Sequence, residues 1–177
     1  MPWLEPWYHV SLWQYPVLSL FLLIGMTDSV VDSGKISKHE LDFMLAGRAI
    51  FTLRSVETQT RYTYKIKNVM GKDKMWFVSV LRGQDNTTDY LYIGTLFQEM
   101  DGSFHFKLTA ASKLRSDDKR VLAFTFTLNK LLKGTPDPRV EIWHEGRCGR
   151  CGRLLTVPES IASGFGPECL TQIKFRF

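Results

Sequence analysis

The chain has 177 residues, 44% of them hydrophobic and 23% charged, with a net charge of +5. That composition suits one globular domain with its own core plus a small appendage, and excludes a disordered or fibrous chain. Three cysteines cannot all pair within one chain, which sets a disulfide framework aside and points to a reducing compartment, the cytoplasm.

Residues 1–25 form a hydrophobic N-terminal extension that differs from everything after it. They hold Trp3, Trp7, Tyr8, Trp13, Tyr15 and Phe21, one charged residue (Glu5), and no Lys or Arg. The apolar run over residues 17–24 is much shorter than the about 20 residues of a spanning helix. A secretory signal would open on a basic stretch, which is missing. Three readings stay open: an upstream extension before a start at Met26, a segment lying on a membrane surface, or an element packed on the domain. The first is preferred, since Met26-Thr27-Asp28-Ser29 resembles a natural beginning.

Residues 26–140 are read as an antiparallel β-rich α+β domain. After a polar lead-in, Ser37-Lys38-His39-Glu40 has the form of a capping box, opening a short helix with Leu41, Met44 and Leu45 on one face and Gly47 at its end. From Ala49 the apolar period falls to two. Strands are expected over residues 49–56, 61–67, 75–81, 90–97 and 103–108, joined by short turns. They form a meander, either an open sheet or a partly open small barrel. Val121 to Leu132 is expected as a helix capped by Ser116-Asp117-Asp118 and stopped by Gly134, covering one face of the sheet. Val140, Ile142 and Trp143 form a last short strand.

Arg61, Lys65 and Lys67, with Arg54 beside them, make a basic row on one strand face. Together with flat aromatic rings, such a row suits a single-stranded nucleic acid. The same alternation turns Tyr62 and Tyr64 to the opposite face, which favours a solvated basic face over a binding one. The loop over residues 82–89 is polar and carries Asp85 and Asp89; a tight turn is expected there, since the alternating oxygen pattern of a calcium loop is missing.

Residues 141–177 carry the chemistry. Cys148 and Cys151 are spaced so that both thiolates reach one metal ion, and Cys169 follows in the turn-rich Gly164-Phe165-Gly166-Pro167-Glu168-Cys169. Three thiolates leave a tetrahedral zinc ion one ligand short. His144 is the preferred fourth ligand; His105, Glu168, Glu145 and water are the alternatives. Thr156-Val157-Pro158-Glu159 has the form of a second capping box before a helix to Ser163. Arg147, Arg150 and Arg153 surround the cysteines and would offset the negative charge of the metal–thiolate group.

The segment from Arg147 through Cys169 resembles a small zinc-ribbon-like family of uncharacterised function, frequent at the C-termini of bacteriophage and mobile-element proteins. The upstream Trp76-Phe77-Val78-Ser79-Val80-Leu81 with Gly83-Gln84-Asp85-Asn86 also looks like phage-encoded proteins that carry this tail. The resemblance implies a metal-binding module and a phage or prophage origin, hence the host cytoplasm. It implies no activity.

No enzyme is expected. A zinc deaminase needs His-x-Glu and Pro-Cys-x-x-Cys, whereas Glu145 directly follows His144 and no proline precedes Cys148. His-Glu-x-x-His, a phosphate-binding glycine loop and a nucleophile elbow are also missing. The leading functional reading is a zinc-stabilised binding protein that contacts nucleic acid through Arg54, Arg61, Lys65, Lys67, Arg147, Arg150 and Arg153. The alternative is an adaptor or inhibitor that docks on a host or phage protein complex. Membrane association has support only in residues 1–25.

Overall fold

The alternation of apolar and polar residues in the middle of the chain folds as a sheet, and the stretches of helical period fold against one side of it. The computed structural model describes residues 34–36 and 38–173, all within the unit Asp32–Phe177. The extension over residues 1–25, the lead-in through residue 33 and Ser37 lie outside the described residues. In chain order the elements are β1 (Lys35–Ile36), α1 (Glu40–Leu45), β2 (Arg48–Ser55), β3 (Arg61–Val69), β4 (Lys72–Leu81), β5 (Tyr90–Gln98), β6 (Phe104–Lys107), α2 (Lys119–Leu132), β7 (Val140–His144), α3 (Pro158–Ser163) and α4 (Pro167–Leu170).

The strands form one open, antiparallel sheet in the order β1-β7-β2-β3-β4-β5-β6. The meander from β2 to β6 is the one expected. Of open sheet and small barrel, the sheet is found: its edges, β1 and β6, are two and four residues long and do not meet. Short edges also limit pairing with other chains. The last strand departs from simple succession. β7 crosses back to lie beside β2, with Ile142 opposite Leu53 and His144 opposite Phe51. β1 adds to its far side within the stretch read as lead-in.

Register separates two faces. Ala49, Phe51, Leu53, Tyr64, Ile66, Val78 and Val80 share one of them and are buried. α2 packs there: Phe124 lies tilted against Tyr64 and edge-on to Phe106, and the Tyr64 hydroxyl donates to the Arg120 carbonyl at 2.7 Å. Burial pushes the Tyr64 phenol far above its usual range. The tyrosine on β3 opposite the basic row is therefore core, as its parity implied. α1 lies on the same side, where the Trp76 indole donates to the Leu45 carbonyl at 3.1 Å. Gly94 lets β6 close over this layer, because a Cβ there would stand 2.7 Å from the Phe106 ring.

Helix starts differ in detail from the expected caps. The Asp118 carboxylate accepts from the Arg120 amide at 2.9 Å, so α2 begins at Lys119. α1 instead starts from His39, which is left-handed at φ 59° and makes no side-chain cap bond. α3 starts from Val157, because Pro158 takes the first helical position, where its missing N–H costs nothing. Thr156 is thereby one residue too early to cap. The loop over residues 82–89 is the tight polar turn expected: Asp85 accepts from the Thr87 amide at 2.7 Å and from the Thr87 and Thr88 hydroxyls. Those donors hold its carboxyl down at about 2. Among the described residues no helix is long and apolar enough to cross a membrane.

Candidate functional site

The end of β7 runs directly into a tight hairpin that carries two of the three cysteines. Gly146 and Gly152 adopt φ of 66° and 78°, which the two turns require. Between them Arg147 bridges to Leu154, the Cys148 amide donates to the Arg153 carbonyl at 2.8 Å, and the Gly152 amide donates to the Cys148 carbonyl at 2.8 Å. Cys169 arrives on α4, a single turn begun by Pro167. The three sulfurs lie within 4.8 Å of one another. Zinc–sulfur bonds of about 2.3 Å around a tetrahedral ion leave sulfurs roughly 3.8 Å apart, so this cluster can hold one metal ion after small adjustments.

The surroundings of the sulfurs fit that role. Burial alone would raise the Cys148 thiol, but the backbone amides of Cys151, Gly166 and Arg150 point at its sulfur and hold it below the usual thiol range. Amides converging on one sulfur stabilise a thiolate. Burial pushes the Cys169 thiol up to about 11; the neighbouring Cys151 and Cys148 add to this, and Arg150 opposes it. A cation placed among the sulfurs would reverse that rise and displace the proton.

His144 does not join the cluster, which corrects the expected ligand set. Its ring turns into the core beside Phe43, 5.9 Å between centroids. Nε2 contacts the Ile161 carbonyl at 2.7 Å and Nδ1 accepts from the Gly146 amide at 2.9 Å. One nitrogen donates and the other accepts, so the ring is neutral and both positions are used. His144 is the imidazole nearest to Cys148 in the sequence, but β7 runs through it and its pairing with Phe51 carries the ring to the core face. His105 lies on the edge strand β6 beside Ser103, and Glu145 accepts from Thr52 at 3.0 Å. Glu168 stands at the cleft of about 270 Å³ that the three cysteines line. It and water remain as candidates for the fourth position.

Burial holds the His144 imidazole below the usual histidine range, against the opposing pull of the Ile161 bond and Glu145. A depressed folded pKa favours folding fully above the unfolded value of about 6.5, and that contribution is lost as pH falls through the folded value. The stability gap between the native chain and His144→Gln, read from urea midpoints, is expected to shrink as pH drops from about 7 to about 5. A gap that stays constant would contradict the neutral, doubly bonded imidazole.

The cysteine hairpin and the helix that follows it close around Phe43 of the sheet domain. Phe43 of α1 is fully buried. A Cβ at Gly149 or Gly164 would stand 2.8 and 2.7 Å from its ring. Phe165 closes over it at 5.6 Å between centroids. The Arg48 amide donates to the Gly149 carbonyl at 2.7 Å, and the Gly149 amide to the Gly164 carbonyl at 3.1 Å.

Residues 143–174 match DUF6011, a family of unknown function. No curated protein and no solved structure matches the chain. The DUF6011 stretch starts on β7 and contains all three cysteines together with Gly149, Gly164 and Phe165, the residues that close around Phe43. Most of the sheet and α2 lie outside it.

The basic residues divide into two groups. Lys65, Lys67 and Arg147 line one cleft of about 280 Å³ beside the DUF6011 hairpin, together with Arg48. Arg150 borders the adjoining cleft, which also contains Arg48 and Lys67. Lys65 lies 3.7 Å from the centre of the Tyr90 ring and donates to the Thr87 carbonyl at 3.0 Å; burial and the nearby Lys67 lower its pKa, against the opposing pull of Asp85. Among the described residues no carboxylate forms an ion pair with Arg48, Lys65, Lys67, Arg147 or Arg150. Arg54 and Arg61 lie opposite each other at the far end of β2 and β3, where Glu141 accepts from Arg54 at 3.3 Å. Arg153 borders the cysteine cleft. Arg48 lies one residue before the expected start of the strand; counting back by twos from Arg54 through Thr52 and Ile50 puts it on the same face.

Proposed function

We propose that this chain is a metal-stapled binding protein, without catalytic activity, that contacts nucleic acid through the cation-lined end of its sheet. The observation that carries the reading is the convergence of Arg48, Lys65, Lys67 and Arg147 on one cleft, none of them ion-paired to a carboxylate of the described residues. Asp85 offsets part of the charge on Lys65; the other clustered cations repel one another, and a polyphosphate relieves that repulsion. Zinc is the metal best suited to a compact set of three thiolates with a neutral or carboxylate fourth ligand. It would hold the hairpin that delivers Arg147. Free thiols beside one another fit a reducing compartment such as a cytoplasm. The resemblance to tails of phage and mobile-element proteins supports a phage or prophage setting.

The test is binding of a fluorescent 12-nucleotide single strand, followed by anisotropy at several salt concentrations. Four phosphate contacts predict an affinity loss of about 50-fold between about 50 and about 200 mM salt. Affinity that is absent at low salt, or flat across that range, would overturn the reading. An adaptor role draws on a different observation: Leu122 and Phe126, one turn apart on α2, are 52% and 42% exposed. It predicts capture of a protein partner that weakens on Phe126→Ala and changes little with salt.

A further inference from the structure

The face of the sheet opposite α2 carries a row that crosses five strands in register: Arg48, Lys67, Phe77, Thr95 and Lys107. Neighbouring strands are about 4.8 Å apart, so Lys67 lies immediately beside Phe77 and Lys107 two strands further on. Arg48, Lys67 and Lys107 are exposed, and Phe77 is 44% exposed. Phe77 is also held in place. The Tyr92 ring meets it edge-on, 5.8 Å between centroids and 88° between planes, and the Tyr92 hydroxyl is anchored by hydrogen bonds to Thr95 at 2.7 Å and Thr109 at 3.2 Å. A fixed, accessible ring flanked by cations gives an unpaired base a surface to stack on and gives the phosphates on either side their counter-charges. A duplex keeps its bases stacked inside and cannot use the ring.

We infer that this face takes single-stranded nucleic acid, with one base stacked on Phe77 and the neighbouring phosphates on Arg48, Lys67 and Lys107. The inference rests on the proposed nucleic-acid function and narrows it to unpaired strands. It is tested on the full-length protein with four labelled 12-mers of matched sequence: single-stranded DNA, single-stranded RNA, duplex DNA, and a DNA strand lacking bases over its central half. Phe77→Ala is expected to weaken binding of the intact single strands about tenfold and leave the base-less strand unchanged. Phe77→Tyr should retain native affinity, and Arg48→Ala/Lys67→Ala should weaken all four probes. The relative affinity of the DNA and RNA strands names which is preferred. An unchanged single-strand affinity in Phe77→Ala, or duplex bound as tightly as single strands, would overturn the inference while leaving the charge-based reading standing. Failure of every probe to bind would overturn both. Urea midpoints of each variant confirm that the fold is retained.

Discussion

Phe43→Ala is expected to cost about 3–5 kcal/mol of folding stability, the usual range for deleting a fully buried phenyl ring. The ring occupies the space between α1 and the cysteine hairpin, touching His144 and Phe165 and filling the gap left by two glycines. Neither glycine can supply atoms to close the resulting void. Gly164 sits at φ 75°, a conformation that a larger residue adopts only with strain. The variant should also expose the amides of the hairpin to hydrogen exchange well before those of β3 and β4, because seating the hairpin depends on the ring and pairing the central strands does not. Urea midpoints measure the first effect and exchange mass spectrometry the second. A loss below about 1 kcal/mol would mean that the hairpin is seated by other contacts.

Chelation of the metal, or Cys148→Ser, is expected to have the larger effect on residues 146–173. Coordination contributes on the order of 10 kcal/mol to ordering zinc-finger segments. Besides its packing on Phe43, this stretch has little secondary structure of its own: α3 and α4 are six and four residues long, far below the length at which an isolated helix is stable. Cys148 is the most sensitive position, since three backbone amides are directed at its sulfur and serine oxygen is a poor zinc ligand at neutral pH. Chelator should lower the thermal midpoint and open this segment to protease, while β2 to β5, packed under α2, stay protected. Binding of metal to the stripped protein should release protons, because burial keeps the Cys169 thiol protonated, with a pKa of about 11, in the metal-free state. Identical melting with and without chelator would contradict the metal staple.

Much of this architecture was legible in residue order, for reasons that differ from element to element. Period-two alternation gave the strands from β2 to β6, because each has one buried face, and residue parity correctly sent Tyr64 to the core. Asp118 and Gly134 marked the ends of α2 through ordinary cap chemistry. The cysteine spacing pointed to a shared site, and the fold brings the three sulfurs together. Long-range choices were less accessible. Nothing local to β7 says that it pairs with β2 rather than following β6, and that pairing is what turns His144 into the core and away from the sulfurs. Phe43 is not on the expected helix face of Leu41, Met44 and Leu45; its role appears only once Gly149 and Gly164 are seen against its ring. The row from Arg48 to Lys107 is assembled from five strands, so no single segment displays it.

Elemental analysis of the full-length protein, purified without added metal, tests the metal assignment most directly. One zinc ion per chain is predicted, with Cys148, Cys151 and Cys169 protected from a thiol reagent until chelator is added. Protein that folds without bound metal and with all three thiols freely reactive would contradict it.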